Sequence, residues 1–325
     1  MTITSFQFNR SFRGGAAVLS STLIAAALLG NSAAVQASLA IQATFDSTIT
    51  GDANAAAIEG VINTAVQAYQ SYFSNPVTVN INFQEMSSGL GQSNTWLAGP
   101  YSYSSYRAVL AGTATTSDDA TAYNALPATN PIPGNSTGGI TISSANYKAL
   151  TGGGITTPDG FDGTVSLNTH ITNVGSPGTS GQYSLLATVE HEIDEVLGLG
   201  SGLGKSDLRP QDLFRFTQAG ARTYTTSGDD AYFSINGGTA LLARFNQSSG
   251  GDYGDWWSTG GHTPQVQDAF ATPGANPLLG NSELTALDVI GYNRVSATPV
   301  PIPGAGWLFF SATAGLLGFN RRTAG

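Results

Sequence analysis

The 325-residue chain contains no cysteine, which removes disulfides, cysteine-ligated zinc, iron–sulfur clusters and thiol nucleophiles from consideration. Histidine is nearly as scarce, with His170, His191 and His262 the only three. A metal site must therefore draw on these, on carboxylates or on backbone oxygens. Charged residues make up only 10%, and 12 Lys and Arg face 21 Asp and Glu, for a formal charge of −9. No stretch concentrates basic residues, so nucleic-acid binding lacks an electrostatic footprint. The sequence also lacks a Gly-x-Ser-x-Gly elbow, and Gly152-Gly153-Gly154 has neither the spacing nor the lysine of a phosphate loop. What is plentiful is apolar surface, at 41% of residues, together with 41 Gly and 14 Pro. That mixture specifies a folded core with many turns.

Both ends read as addresses. Arg10 and Arg13 precede an uncharged apolar run, Gly15 to Gly30, and then Val35 and Ala37. This is the layout of a secretory signal peptide over 1–37, with signal peptidase expected to cut after Ala37. At the other end, Pro299, Pro301 and Pro303 stiffen a linker that leads into the uncharged segment Gly304 to Phe319 and then Arg321-Arg322. Removing the four arginines in these ends would leave the remainder, 38–295, still more acidic. The 296–325 tail resembles a PEP-CTERM sorting signal, with its Val-Pro-x-Pro motif, Trp-led apolar helix and terminal arginines. The resemblance implies an exosortase-type enzyme as a partner, transient membrane anchoring through the ends, and a location at the cell surface or outside the cell. The Asn135-Ser136-Thr137 sequon carries no weight beside bacterial export signals.

Between the ends, Ile58, Val61, Ile62, Ala65, Val66, Tyr69, Tyr72 and Phe73 recur at helical spacing, predicting one amphipathic helix over 53–73. Val77, Val79, Ile81 and Phe83 alternate with polar residues, predicting a half-buried strand. Further short strands are expected at 139–143, 163–168 and 231–236, and a helix at 282–292 in which Asp288 is a buried hydrogen-bond acceptor. Trp256, Trp257, Tyr101, Tyr103 and Tyr106 read as core before they read as a groove lining. The fold class expected is α+β.

The chemistry concentrates in Tyr183 to Ser201, YSLLATVEHEIDEVLGLGS. Leu185, Leu186, Val189, Ile193, Val196 and Leu197 share one side of a helix, and His191 and Glu195 lie one turn apart on the other. That i, i+4 spacing lets two side chains grip one ion, and a carboxylate is an acceptable zinc ligand. Glu192, next to His191, is placed to act as general base toward a water activated at that ion, which would attack a peptide carbonyl. Glu190, Glu192, Asp194 and Glu195 crowd four carboxylates into six residues. Alone such a run reads as a solvated acidic face; with His191 inside it, it reads as a cation site.

His191 to Ser201 resembles the metzincin helix signature, His-Glu-x-x-His-x-x-Gly-x-x-His/Asp, with Glu195 and Ser201 at the second and third ligand positions and Gly198 kept where the chain must turn back. The only methionine after Met1 is Met86, so no Met-turn follows. More closely, the chain resembles exported bacterial metalloproteases with a His-Glu-x-x-Glu helix and sorting tails, through HEIDEVLGLGS, QDLFRF (211–216), AYFS (231–234), GDWW (254–257), VQDAF (266–270) and ELTALDVIGY (283–292). The resemblance implies a zincin-like fold, a small mixed sheet on an N-terminal helix and an active-site helix. It further implies Zn²⁺, with Mn²⁺ or Ca²⁺ as substitutes, and polypeptide substrates. Asp207, twelve residues past Glu195, resembles the third ligand of aspzincin proteases; Asp212, Ser201 and His262 stay open as alternatives. His170 reads as a surface residue. Two other readings of the same residues are a non-catalytic surface or biofilm-matrix protein holding a structural cation, and a lapsed protease that binds peptides without cutting.

Overall fold

The computed structural model describes residues 38–132, 139–174, 179–226, 230–258 and 261–295. The expected signal peptide and sorting tail, and the sequon, lie outside the described residues. In chain order the elements are β1 (Ala40–Phe45), α1 (Ser47–Thr50), α2 (Ala55–Tyr72), β2 (Thr78–Glu85), β3 (Gly91–Thr95) and β4 (Leu97–Ser102). There follow α3 (Tyr103–Ala111), α4 (Ser117–Ala125), β5 (Gly139–Ser143), α5 (Ser144–Thr151), β6 (Gly163–Leu167), β7 (Thr172–Asn173) and β8 (Tyr183–Ser184). The remainder comprises α6 (Leu185–Leu197), a 3₁₀ turn at Pro210–Phe214, β9 (Arg215–Gln218), β10 (Ala221–Arg222), β11 (Tyr232–Phe233), β12 (Ala243–Arg244) and α7 (Asn281–Val289). The architecture is mixed α+β. Among the described residues no helix is long and apolar enough to cross a membrane.

The principal sheet has the order β1-β2-β6-β3. β1, β2 and β6 run parallel, while β3 is antiparallel to β6 and forms one edge. The alternation in β2 does what its pattern dictates, sealing Val79, Ile81 and Phe83 completely from solvent. α2 and α6 pack on this sheet and on each other. α2 buries Ile58, Ile62, Ala65, Val66 and Tyr69, the stripe its spacing predicts, although Tyr72 at its end is turned to solvent. A smaller antiparallel sheet, β10-β9-β11-β12, follows α6 in sequence.

Several expected elements are shorter than the sequence suggests, among them the helix expected over 53–73 and the strand expected over 163–168. α6 begins at Leu185 because Tyr183 and Ser184 pair with β7, and the Ser184 hydroxyl then accepts from the Ala187 N–H at 3.2 Å as an N-cap. The strand expected at 231–236 stops after Phe233, where the Ser234 hydroxyl accepts from Gly238 N–H and closes a turn. The last helix ends at Val289; inside it Asp288 is fully buried and accepts from Thr116 Oγ1 at 2.7 Å and Arg294 N–H at 3.1 Å, the role read for it. Trp256, Tyr103 and Tyr106 are core, whereas Trp257 is exposed.

Candidate metal centre

α6 sets the geometry. Its apolar side, Leu185, Val189, Ile193, Val196 and Leu197, is completely buried, fixing the helix rotation. The run ends at Gly198, whose φ of 130° suits a residue without Cβ, and Leu199 N–H closes back on Asp194 C=O at 2.9 Å. The four carboxylates of the helix are not a solvated face. Glu190, Glu192 and Asp194 are all buried, and they divide between two environments. Glu190 and Asp194 face Tyr69 of α2 and Glu283 of α7, and burial pushes the Glu190 carboxyl up to about 7 and that of Asp194 well above its ordinary range. Glu192 and Glu195 lie with His191 on the opposite side.

His191 Nδ1 lies 3.0 Å from the Val266 carbonyl, a hydrogen bond in which a protonated Nδ1 donates to the carbonyl oxygen. The tautomer so fixed presents Nε2 as a free lone pair, the arrangement that metal-bound histidines use. Nε2 stands 3.7 Å from Glu195 Oε1 and 3.9 Å from Asp255 Oδ1. One ligand atom from each of His191, Glu195 and Asp255 lies within 4.8 Å of the others, the one such group of three among the described residues. Ligands at about 2.1 Å around a tetrahedral ion are separated by roughly 3.4 Å, so His191 Nε2 stands within a few tenths of an ångström of ligand spacing from each of the two carboxylates.

Each donor is held from behind. Ser93 of β3 donates its hydroxyl to Glu195 Oε2. Gln267 donates its side-chain amide to Asp255 Oδ1 at 3.0 Å, and its own backbone N–H is fixed by Glu283 Oε1, which also takes the Trp256 indole N–H at 3.1 Å. Gln211 clamps the two loops that meet here, accepting from Gly200 N–H at 2.7 Å and donating to Gly254 C=O at 2.9 Å. Gly254 packs directly on Gly200, where a Cβ would collide with the backbone. Gly200, Gln211, Gly254, Gln267 and Glu283 thus deliver Asp255 to a helix some sixty residues earlier in sequence.

Electrostatics mark the same place. Burial pushes the Asp255 carboxyl up to about 8 against the pull of His191, with Glu195 and Asp252 adding repulsion. Burial also raises Glu192 well above the usual carboxylate range, reinforced by Glu195. For His191 burial works the other way, but Asp255, Glu195 and Glu192 carry its imidazole well above the ordinary value. Glu195 alone falls, because His191 and Ser93 stabilise its anion beyond the cost of burial. Crowded carboxylates that resist ionising together are relieved by a cation.

Asp207 does not join this group. After Gly200 the chain runs alongside β5, bridging Leu208 to Ile140, and carries Asp207 against Gly139, where Ser206 Oγ donates to its carboxylate at 2.8 Å. The third member of the geometric group is Asp255. Ser201 is occupied as well, donating to Asp212 Oδ1 at 2.6 Å and accepting from Leu203 N–H. Asp212 also takes the Gly202 and Arg209 N–H groups and so organises the turn after α6. His262 is paired through Nε2 with Asp268 Oδ2 at 2.6 Å, and His170 is exposed, as read. Glu192 lies beside His191 in the lining of a surface cavity of about 130 Å³. Comparison with protein-family models, with curated proteins and with solved structures returns no match.

Proposed function

We propose that this chain is a zincin-like, metal-dependent endopeptidase, exported through its N-terminal segment and sorted to the cell surface through its C-terminal one. The observation that carries this reading is the convergence of His191, Glu195 and Asp255 on one point, with Glu192 beside them in an open cavity. His191 Nε2 and one oxygen each from Glu195 and Asp255 would hold the ion. A divalent ion in that position supplies a Lewis acid that polarises a peptide carbonyl and lowers the pKa of water. Glu192 would accept the proton released from water and pass it to the departing amine, its anion made more basic by burial and by Glu195, which hold its carboxyl well above the usual carboxylate range. β3 contributes twice. Ser93 fixes Glu195, and as the edge strand next to α6 it offers unpaired backbone groups along which an extended peptide can align.

One histidine and two carboxylates leave a site with Zn²⁺ formally neutral. That polarises water less than a site with two histidines and one carboxylate, and admits oxygen-preferring ions such as Mn²⁺ and Ca²⁺. The same preference favours the second reading, a structural cation in a non-catalytic surface protein. Casein hydrolysis separates the two. Under the peptidase reading the zinc-loaded protein cleaves casein, and both chelation and Glu192→Gln stop it, the latter without loss of metal. Full metal occupancy with no cleavage of any protein offered establishes the structural cation instead.

A further inference from the structure

A second cavity, of about 480 Å³, is lined by the 202–206 turn, the 222–225 segment, Leu208 and Ile132, and by no residue of the metal centre. Its size falls in the range of ~300–1,000 Å³ usual for small-molecule sites. Its charge runs against that of the chain: Lys205 and Arg222 line it and no described Asp or Glu does, in a sequence of 21 acids and 12 bases. The cavity beside His191 is the reverse, with Glu192 and Asp268 and no base. Arg222 is half-buried, its Nε donating to the Leu213 carbonyl at 2.9 Å and its Nη2 to the Ala125 carbonyl at 2.7 Å. Nη1 makes no hydrogen bond among the described residues and is not closed to solvent. Burial pushes the guanidinium below its ordinary range, opposed only by Tyr224 and Tyr103; no carboxylate acts on it. Carbonyl oxygens thus solvate this charge without neutralising it, whereas charges withdrawn from water are ordinarily paired. Lys205 is exposed, acts on Asp252 without forming an ion pair, and makes one long contact, 3.4 Å from Nζ to the Ser201 carbonyl.

We infer that this cavity binds a small organic anion, its carboxylate or phosphate group held by Arg222 and Lys205 and its apolar body against Ile132, Leu203 and Leu208. Both oxyanions accept charge-assisted hydrogen bonds from a guanidinium and from an ammonium. With two of its three nitrogens already committed, Arg222 offers Nη1 as a single donor rather than a fork, and Lys205 supplies the second charge. A neutral molecule of the same shape meets the same apolar wall but neutralises neither cation. The site shares no lining residue with the metal centre, so it stands or falls independently of the peptidase reading.

The test is an NMR titration of the isotope-labelled, zinc-loaded full chain with benzoate, phenyl phosphate and benzamide, which place a carboxylate, a phosphate and a neutral amide on the same ring. At least one of the two anions is expected to bind about tenfold tighter than benzamide, the margin of a charge-assisted hydrogen bond, with amide shifts at 202–206 and 222–225. The tighter of the two anions identifies the oxyanion the site prefers. Lys205→Gln, a change at an exposed position that leaves the core untouched, is expected to reduce the margin, and Arg222→Gln to reduce it further, with benzamide binding unchanged by Lys205→Gln. Because Arg222 also holds two backbone carbonyls, Lys205→Gln decides the matter if Arg222→Gln does not fold. Equal binding of all three compounds overturns the inference, as does binding of none or an anion preference that survives Lys205→Gln undiminished. Shifts confined to the surroundings of His191, Glu195 and Asp255 overturn it as well, since they show the anion at the metal instead.

Discussion

Gly91 opens β3 directly beside Glu192, and replacing it by alanine separates the proposed general base from the proposed metal ligands. A Cβ there would collide with Glu192 Oε1 and stand 2.8 Å from Thr188 Cγ2 and 3.0 Å from Glu192 Cδ. The backbone of Gly91 lies outside the left-handed region, so alanine adds no backbone strain and only the contacts with Glu192 and Thr188 must give. Glu192 is the movable partner, and restoring ordinary contact requires its carboxylate to withdraw by roughly 1 Å. Misplacing a reacting group by about that distance costs on the order of 100-fold in rate. Overpacking adds roughly 1–3 kcal/mol of lost stability, which a folded domain of this size tolerates. The three atoms nearest the new methyl group belong to Glu192 and Thr188, not to His191, Glu195 or Asp255. The expected outcome for Gly91→Ala is therefore a kcat/KM for a protein substrate lowered about 100-fold, with metal stoichiometry unchanged and a modest fall in Tm. Undiminished turnover in a folded, metal-loaded Gly91→Ala protein would refute the placement of Glu192 as the base; loss of metal would refute the separation of base from ligands.

Other perturbations read out other parts of the centre. Ser93→Ala frees Glu195 Oε2, and metal affinity should fall about 10- to 100-fold, as for other residues that orient a ligand; competition against a fluorescent chelator measures it, and an unchanged affinity denies Ser93 that role. Gln211→Leu strands the Gly200 N–H and the Gly254 carbonyl, at about 1–3 kcal/mol each, so chemical denaturation should show a loss in that range with a parallel loss of metal affinity. Metal-free protein should lose stability as pH rises from about 4 to 8. Asp255 at about 8, Glu190 at about 7 and Asp288 at about 6 all bind protons more tightly folded than unfolded, as does His191, so their stabilisation is complete below the unfolded values and disappears as pH climbs through the folded ones. Glu195, shifted the other way, matters only below its unfolded value. A Tm of chelated protein that is flat or rises across this window contradicts the assignment. With zinc bound, activity should peak on the alkaline side, because a formally neutral site lowers the pKa of water less; a pH optimum below 6 contradicts the His191, Glu195, Asp255 set.

Local patterning made α2, β2 and α6 legible, because each buries a stripe at a fixed period and period is a property of sequence alone. The pairing of His191 with Glu195 was visible for the same reason: one helical turn separates them whatever surrounds the helix. Asp255 was not visible, since its place depends on two loops meeting at Gly200 and Gly254 and on Gln211, Gln267 and Glu283 holding them there. Those contacts link positions far apart in the chain, and spacing carries no record of them. Asp207 drew attention by its distance from Glu195 alone, but the turn at Gly198 and Gly200 directs the chain along β5 instead. A better guide was the low charge of the whole sequence, in which a pair such as Asp252 and Asp255 between tryptophan and glycine stands out. α3 and α4 escaped a periodicity reading because they are short and weakly apolar. Their starts are set by hydroxyl caps, Ser102 accepting from Ser105 N–H and Thr116 from Asp119 N–H. The Tyr103, Tyr106 and Leu110 stripe that anchors α3 emerges only once those residues are seen to be buried.

The most direct measurement is metal content of the purified chain by mass spectrometry, comparing the unmodified protein with His191→Ala, Asp255→Asn, Asp207→Ala and Glu192→Gln. One zinc per chain, lost in His191→Ala and Asp255→Asn but retained in Asp207→Ala and in an inactive Glu192→Gln, is the predicted pattern. Zinc that persists in Asp255→Asn, or disappears in Asp207→Ala, contradicts the centre described for this protein.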